Sequence, residues 1–133
     1  MDLKSVLIFF VLAYCNCLFA QTDSSNVDSL LCKKWILQYY EEDGEKYPPS
    51  QEHKNDLMVF STDKTVKSIE NEKIQNGTWA YDKAKKTLTI VDIDTKEKMV
   101  IRVIKLTVSE FIIEFKDAEG IPLRICMKPK PKE

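Results

Sequence analysis

The chain has few groups with which to do covalent chemistry. Its single histidine, His53, has no cysteine, Ser/Asp pair or second metal ligand at a useful spacing. His53 therefore reads as an exposed loop residue. Glu41, Glu42, Asp43 and Glu45 crowd around Gly44, but they lack the alternating ligand positions of a calcium loop. They read as solvated turn charge, as do Asp92 and Asp94. The expectation is a protein that is not an enzyme, with no metal and no cofactor.

Two basic stretches, Lys83-Lys85-Lys86 and Lys128-Lys130-Lys132, lack the interleaved aromatic residues of a nucleic-acid site. A net charge of −1 argues the same way, so no nucleic-acid partner is expected. Asn76-Gly77-Thr78 fits both a glycosylation sequon and a plain Asn-Gly turn.

The N-terminus points to export. One lysine near the start, the apolar run Val6–Ala13 and Leu18-Phe19-Ala20 before Gln21 follow the order of a secretory signal peptide over residues 1–20. The run is too short to anchor in a bilayer, and no later stretch could cross one, so no stable membrane insertion is expected. Cleavage leaves residues 21–133, enough for one domain, in the periplasm or outside the cell. Cys15 and Cys17 leave with the signal. Cys32 and Cys126 remain and read as one disulfide, the alternative being two separately buried thiols.

These groups must be carried by strands. Residues 21–31 form an N-terminal segment, with a short helical turn over Val27–Cys32 capped by Ser25 or Asn26. Eight strands follow. The first alternates from Trp35 to Tyr40, Asp43-Gly44 breaks it, and Glu45–Asn55 with Pro48-Pro49 is the one long loop. Then come Leu57–Ser61, Thr65–Glu70, Thr78–Tyr81, Thr87–Asp92, Lys98–Leu106, Glu110–Lys116 and Pro122–Lys128, with a disordered tail over 130–133. Short strands joined mostly by hairpin-length connections predict an all-β, eight-stranded antiparallel up-and-down barrel over 32–129.

In such a barrel the first and last strands are neighbours. With Trp35, Leu37 and Tyr39 inward, and Leu123, Ile125 and Met127 inward, Cys32 and Cys126 both take outward parity at the seam. Trp35 is then the barrel floor and Tyr39 lies near the mouth, where the long loop offers Tyr47 as a lid. Trp79 and Phe115 complete an inner wall. Whether that wall encloses a pocket or a filled core stays open at this stage. Arg102 has two placements. If Val100, Ile104 and Leu106 face inward it enters the cup and could meet a ligand carboxylate; if Met99, Ile101 and Val103 do, it is surface.

The mature chain resembles the small lipocalin-like proteins exported by Bacteroidetes-type bacteria. The resemblance is carried by Lys33-Lys34-Trp35-Ile36-Leu37, Asn76-Gly77-Thr78-Trp79-Ala80-Tyr81, Lys86-Thr87-Leu88-Thr89-Ile90 and Lys105-Leu106-Thr107-Val108-Ser109-Glu110-Phe111-Ile112-Ile113. Lys33 stands where lipocalins usually carry the glycine of Gly-x-Trp. A bacterial source favours the turn over the sequon at Asn76-Gly77. The resemblance implies a non-enzymatic cup for a small hydrophobic or amphipathic ligand, and the strand parity and loop placement above nominate Tyr39, Tyr47, Trp79, Arg102 and Phe115 to bind it. The alternative is an exported module with a protein partner, such as a small protease inhibitor acting through residues 21–26.

Overall fold

A computed structural model describes residues 26–116 and 118–131. The expected signal peptide, residues 21–25 and the last two residues of the chain lie outside the described residues. A short helix, α1 (residues 26–31), precedes nine strands: β1 (Lys34–Glu42), β2 (Glu45–Tyr47), β3 (Leu57–Phe60), β4 (Thr65–Glu70), β5 (Lys73–Asp82), β6 (Thr87–Asp92), β7 (Lys98–Leu106), β8 (Phe111–Lys116) and β9 (Pro122–Pro129). From β3 onward each strand pairs antiparallel with the next, and β1 pairs with both β3 and β9. Eight strands thus close into the expected up-and-down barrel, which leaves no edge in the ring. Lys130 still donates its amide to Lys34 across the seam, so the ladder runs one residue into the expected tail.

The ninth strand is a departure. Asp43 and Gly44, both at positive φ, make a two-residue turn, and Glu45–Tyr47 folds back onto Tyr40–Glu42 as β2. Asp-Gly does not end the strand here; it supplies the two left-handed residues that a tight hairpin requires. Asn76-Gly77 is a second correction, since it lies inside β5. The hairpin turn falls at Asn71-Glu72, again with both residues at positive φ. Gly77 has a strand role instead: a Cβ there would meet the Val91 carbonyl oxygen of β6 at 2.7 Å.

The core fills one end of the barrel. Leu31 from α1 lies over Trp35, and both are fully buried. The Trp35 indole N–H donates to the Leu31 carbonyl at 2.9 Å, so the ring closes this end without stranding its polar atom. Phe111 packs 5.3 Å from Trp35, and Phe60 stands edge-on to both Phe111 and Trp79. The Trp79 indole N–H donates to the Ser61 carbonyl at 3.1 Å. Both tryptophans therefore belong to this floor, with the β3–β4, β5–β6 and β7–β8 turns. The β1–β2 hairpin and the 48–56 loop lie at the opposite end.

Two bulges alter the inward–outward alternation. One lies between Leu37 and Tyr39 against β9, the other between Val103 and Lys105 against β8. Each inserts one residue and moves everything beyond it to the other face.

Candidate functional site

Above the aromatic floor the barrel interior is not filled. A cavity of about 510 Å³ opens toward the mouth. Its wall comes from alternate residues of successive strands, among them Met58, Val66, Ile90, Ile101, Ile113 and Phe115. Nearer the opening the lining turns polar at Ser68, Glu70, Gln75, Asp92 and Glu97. No polar side chain among the described residues is buried, so the depth of the cup is wholly apolar. Met99, half exposed, stands at its edge.

The bulge in β1 decides which tyrosine faces the cup. Below it Trp35 and Leu37 point inward, as expected. Above it Tyr40 pairs with Ile125, an interior residue, while Tyr39 pairs with Cys126. Tyr40 lines a recess of about 60 Å³ with Asp56, and this recess shares Met58, Ser68, Glu70 and Ile125 with the cup. Burial raises the Tyr40 hydroxyl above its ordinary pKa, and the Asp56 and Glu70 carboxylates add to the shift. The group stays protonated and can donate. Tyr39 is instead on the outer wall, its ring under the Lys46 ammonium at 4.7 Å and its hydroxyl within reach of the Cys126 thiol.

The other expected ligand residues separate. Phe115 lines the cup. Trp79 is in the floor, capped by the Lys64 ammonium 4.2 Å from its ring. Tyr47 sits on β2 at the mouth, 46 % exposed, and donates to the Glu45 carboxylate. Arg102 is surface: Ile101 and Val103 face inward, and its guanidinium lies 3.6 Å from Glu114, which Arg124 also meets at 3.0 Å. A neighbouring carboxylate on the outer wall thus supplies the partner that a ligand would have had to provide.

The expected disulfide is not formed; Cys32 and Cys126 are both free. Cys126 does take outward parity next to the β1–β9 seam, but register separates the pair. Pro129, three residues past Cys126, is level with Trp35, itself three past Cys32. The strand from Cys126 to Pro129 alone spans roughly 10 Å at about 3.3 Å per residue, and Cys32 lies before the start of β1, whereas a disulfide needs Cα atoms within about 7 Å. Cys32 also packs against the core instead of facing outward. Burial raises both thiols above their ordinary pKa.

Sequence reasoning missed Asp56, which organises the mouth. One carboxylate oxygen accepts the Asn71 amide of the β4–β5 turn at 2.9 Å, and the other accepts the His53 Nδ1–H at 2.6 Å. Its backbone carbonyl accepts the Leu37 amide at the β1 bulge. His53, read as a bare loop residue, is therefore paired, and the bond to Asp56 raises its pKa. A lone Asp before a strand carries no such signal in the sequence.

The fold has a solved counterpart. The crystal structure of a DUF4847 family protein from Bacteroides vulgatus ATCC 8482 superposes with a TM-score of 0.54 at 10 % identity, over 80 % of this chain and 99 % of that one. The likeness is one of fold. The chain matches no family model and no curated protein. Among the described residues no helix is long and apolar enough to cross a membrane, and no group of His, Cys, Asp and Glu could hold a metal ion.

Proposed function

We propose that the protein is an exported, lipocalin-like, non-enzymatic carrier that holds one small hydrophobic or amphipathic molecule in its barrel. The observation that carries this reading is the division of the interior. One half is packed solid around Trp35, Phe60, Trp79 and Phe111, and the other is an apolar cup open at the mouth. A cavity of about 510 Å³ falls within the roughly 300–1,000 Å³ of small-molecule sites. An apolar tail would lie against Ile101, Ile113 and Phe115. A polar end would meet Tyr40, Ser68 and Gln75 near the opening.

The test uses a probe whose fluorescence rises in apolar surroundings, N-phenyl-1-naphthylamine, because both tryptophans sit in the floor and report poorly on the cup. The native protein should enhance its emission saturably. Met99→Trp, which narrows the cup at an exposed edge, should weaken binding tenfold or more while the melting temperature holds. No saturable enhancement by the native protein would sink the proposal.

A further inference from the structure

The outer wall of β1, β3, β4 and β5 has a composition that neither the barrel nor the cup requires. Register aligns Ile36, Leu57, Ile69 and Ile74 directly across four adjacent strands, all on the outward face. The next row is Lys34, Val59, Lys67 and Asn76. Between them lies a shallow concavity of about 570 Å³, lined also by Ile93 and Lys130 and by no carboxylate. Ile74 and Ile93 stand 60 % and 43 % exposed.

Lys128 flanks the same wall opposite Ile36, and Lys98, opposite Val91, stands where that wall meets the rim of the cup, which it also lines. Among the described residues none of the five ammonium groups, on Lys34, Lys67, Lys98, Lys128 and Lys130, is in an ion pair. Lys64 is matched with Asp28, Lys105 with Glu110, and Arg102 and Arg124 with Glu114, whereas Lys54, Lys85, Lys86 and Lys96 on other turns are in no ion pair among the described residues either. Carboxylates stand at the borders of the wall, at the hairpin tips Glu72 and Asp94, at Asp63 in the β3–β4 turn and at Glu41 near the mouth end of β1.

We propose that this wall docks the protein on an anionic lipid bilayer surface. Exposed aliphatic side chains framed by unpaired lysines suit the boundary between anionic headgroups and acyl chains, where each lysine strengthens association roughly fivefold. A second copy of the chain does not suit it, because a two-fold contact would set lysine against lysine. The wall lies on the barrel's side, so docking leaves the mouth of the cup uncovered.

Sedimentation of the purified full chain with vesicles tests this. Phosphatidylcholine–phosphatidylglycerol vesicles should bind the protein, added salt should release it, and phosphatidylcholine alone should not hold it. The combined Lys34→Gln, Lys67→Gln and Lys130→Gln variant should partition about 100-fold more weakly. Ile74→Ser with Ile93→Ser should also weaken binding, and both variants should melt near the native temperature. Met99→Trp should bind vesicles as the native chain does. The proposal is overturned by equal binding to both vesicle types, or by a triple variant that binds like the native protein. It is equally overturned if Met99→Trp alone abolishes binding, which would mean lipid is drawn into the cup, or if Ile74→Ser dissolves a dimer in the absence of lipid.

Discussion

Replacing Gly77 by alanine sets two opposed effects against each other. At an unstrained strand position the change would add roughly 0.4–1 kcal/mol of stability by narrowing the unfolded ensemble. Here the new methyl group would lie 2.7 Å from the Val91 carbonyl oxygen and 3.4 Å from its carbon. Neither atom can retreat freely, because Val91 is paired with Thr78 on one side and Lys98 on the other. Forcing the strands apart costs about 1–3 kcal/mol, so the clash outweighs the entropic gain. Urea denaturation followed by circular dichroism should show a lower midpoint at an unchanged m value. Gly44→Ala is the control: nothing lies within 4 Å of its added Cβ, but φ is +78°, so its cost of about 1–2 kcal/mol comes from the backbone alone. A Gly77→Ala midpoint at or above the native one would refute the argument from contact.

Other outcomes are equally specific. Trp35→Ala should destabilise by roughly 3–5 kcal/mol in the same assay, because it empties the floor and removes one of the two hydrogen bonds that the Leu31 carbonyl accepts, leaving only that from the Lys33 amide. Peptide mapping without reduction should find no Cys32–Cys126 cross-link. The His53 imidazole, followed by NMR, should titrate above its ordinary 6.5, and Asp56→Asn should return it toward that value. Since the folded pKa is the higher one, the stability His53 contributes is complete below about pH 6.5 and is lost as pH rises through the folded pKa. Asp92 runs the other way. Backbone amides of Thr95 and Asp94 lower its pKa, so its contribution holds above the ordinary carboxylate range and fades in acid as pH falls through the folded value. Asp92→Ala should flatten that acid limb of the stability curve.

The barrel was legible because hydrophobic alternation and turn chemistry agreed over most of the chain. Leu88, Ile101, Val103 and Ile113 alternate cleanly, and all four are buried. What alternation does not contain is a bulge. Between Leu37 and Glu41 the residues are Gln38, Tyr39 and Tyr40, and two adjacent tyrosines offer no contrast by which to detect a slipped register. The choice of Tyr39 over Tyr40 failed for that reason. Cys32 and Cys126 stay apart for a related reason: parity fixes a face, but pairing also needs height along the strand, which only the seam register supplies. Trp79 was expected in the wall because inward parity does not tell floor from cup. β2 was within reach, since Asp43-Gly44 is a strong hairpin signal, but the acidic and proline-rich sequence around it obscured the returning strand.

The bulge after Leu37 gives β1 two independent phases. Below it, the strand's inward positions belong to the seal formed with Leu31 and Phe111; above it, the inward positions are counted from a new origin that begins at Tyr40. Loss of the inserted residue, Gln38, would close the bulge and leave every partner in place, with Tyr39 still opposite Cys126 and Tyr40 still opposite Ile125, while Trp35 and Leu37 kept their neighbours. The extra residue is therefore slack in the strand: one deletion there would shorten β1 and leave both the opening and the foundation as they are. Such a vessel can absorb a change of one residue in a strand's length at a bulge without rewriting its lining.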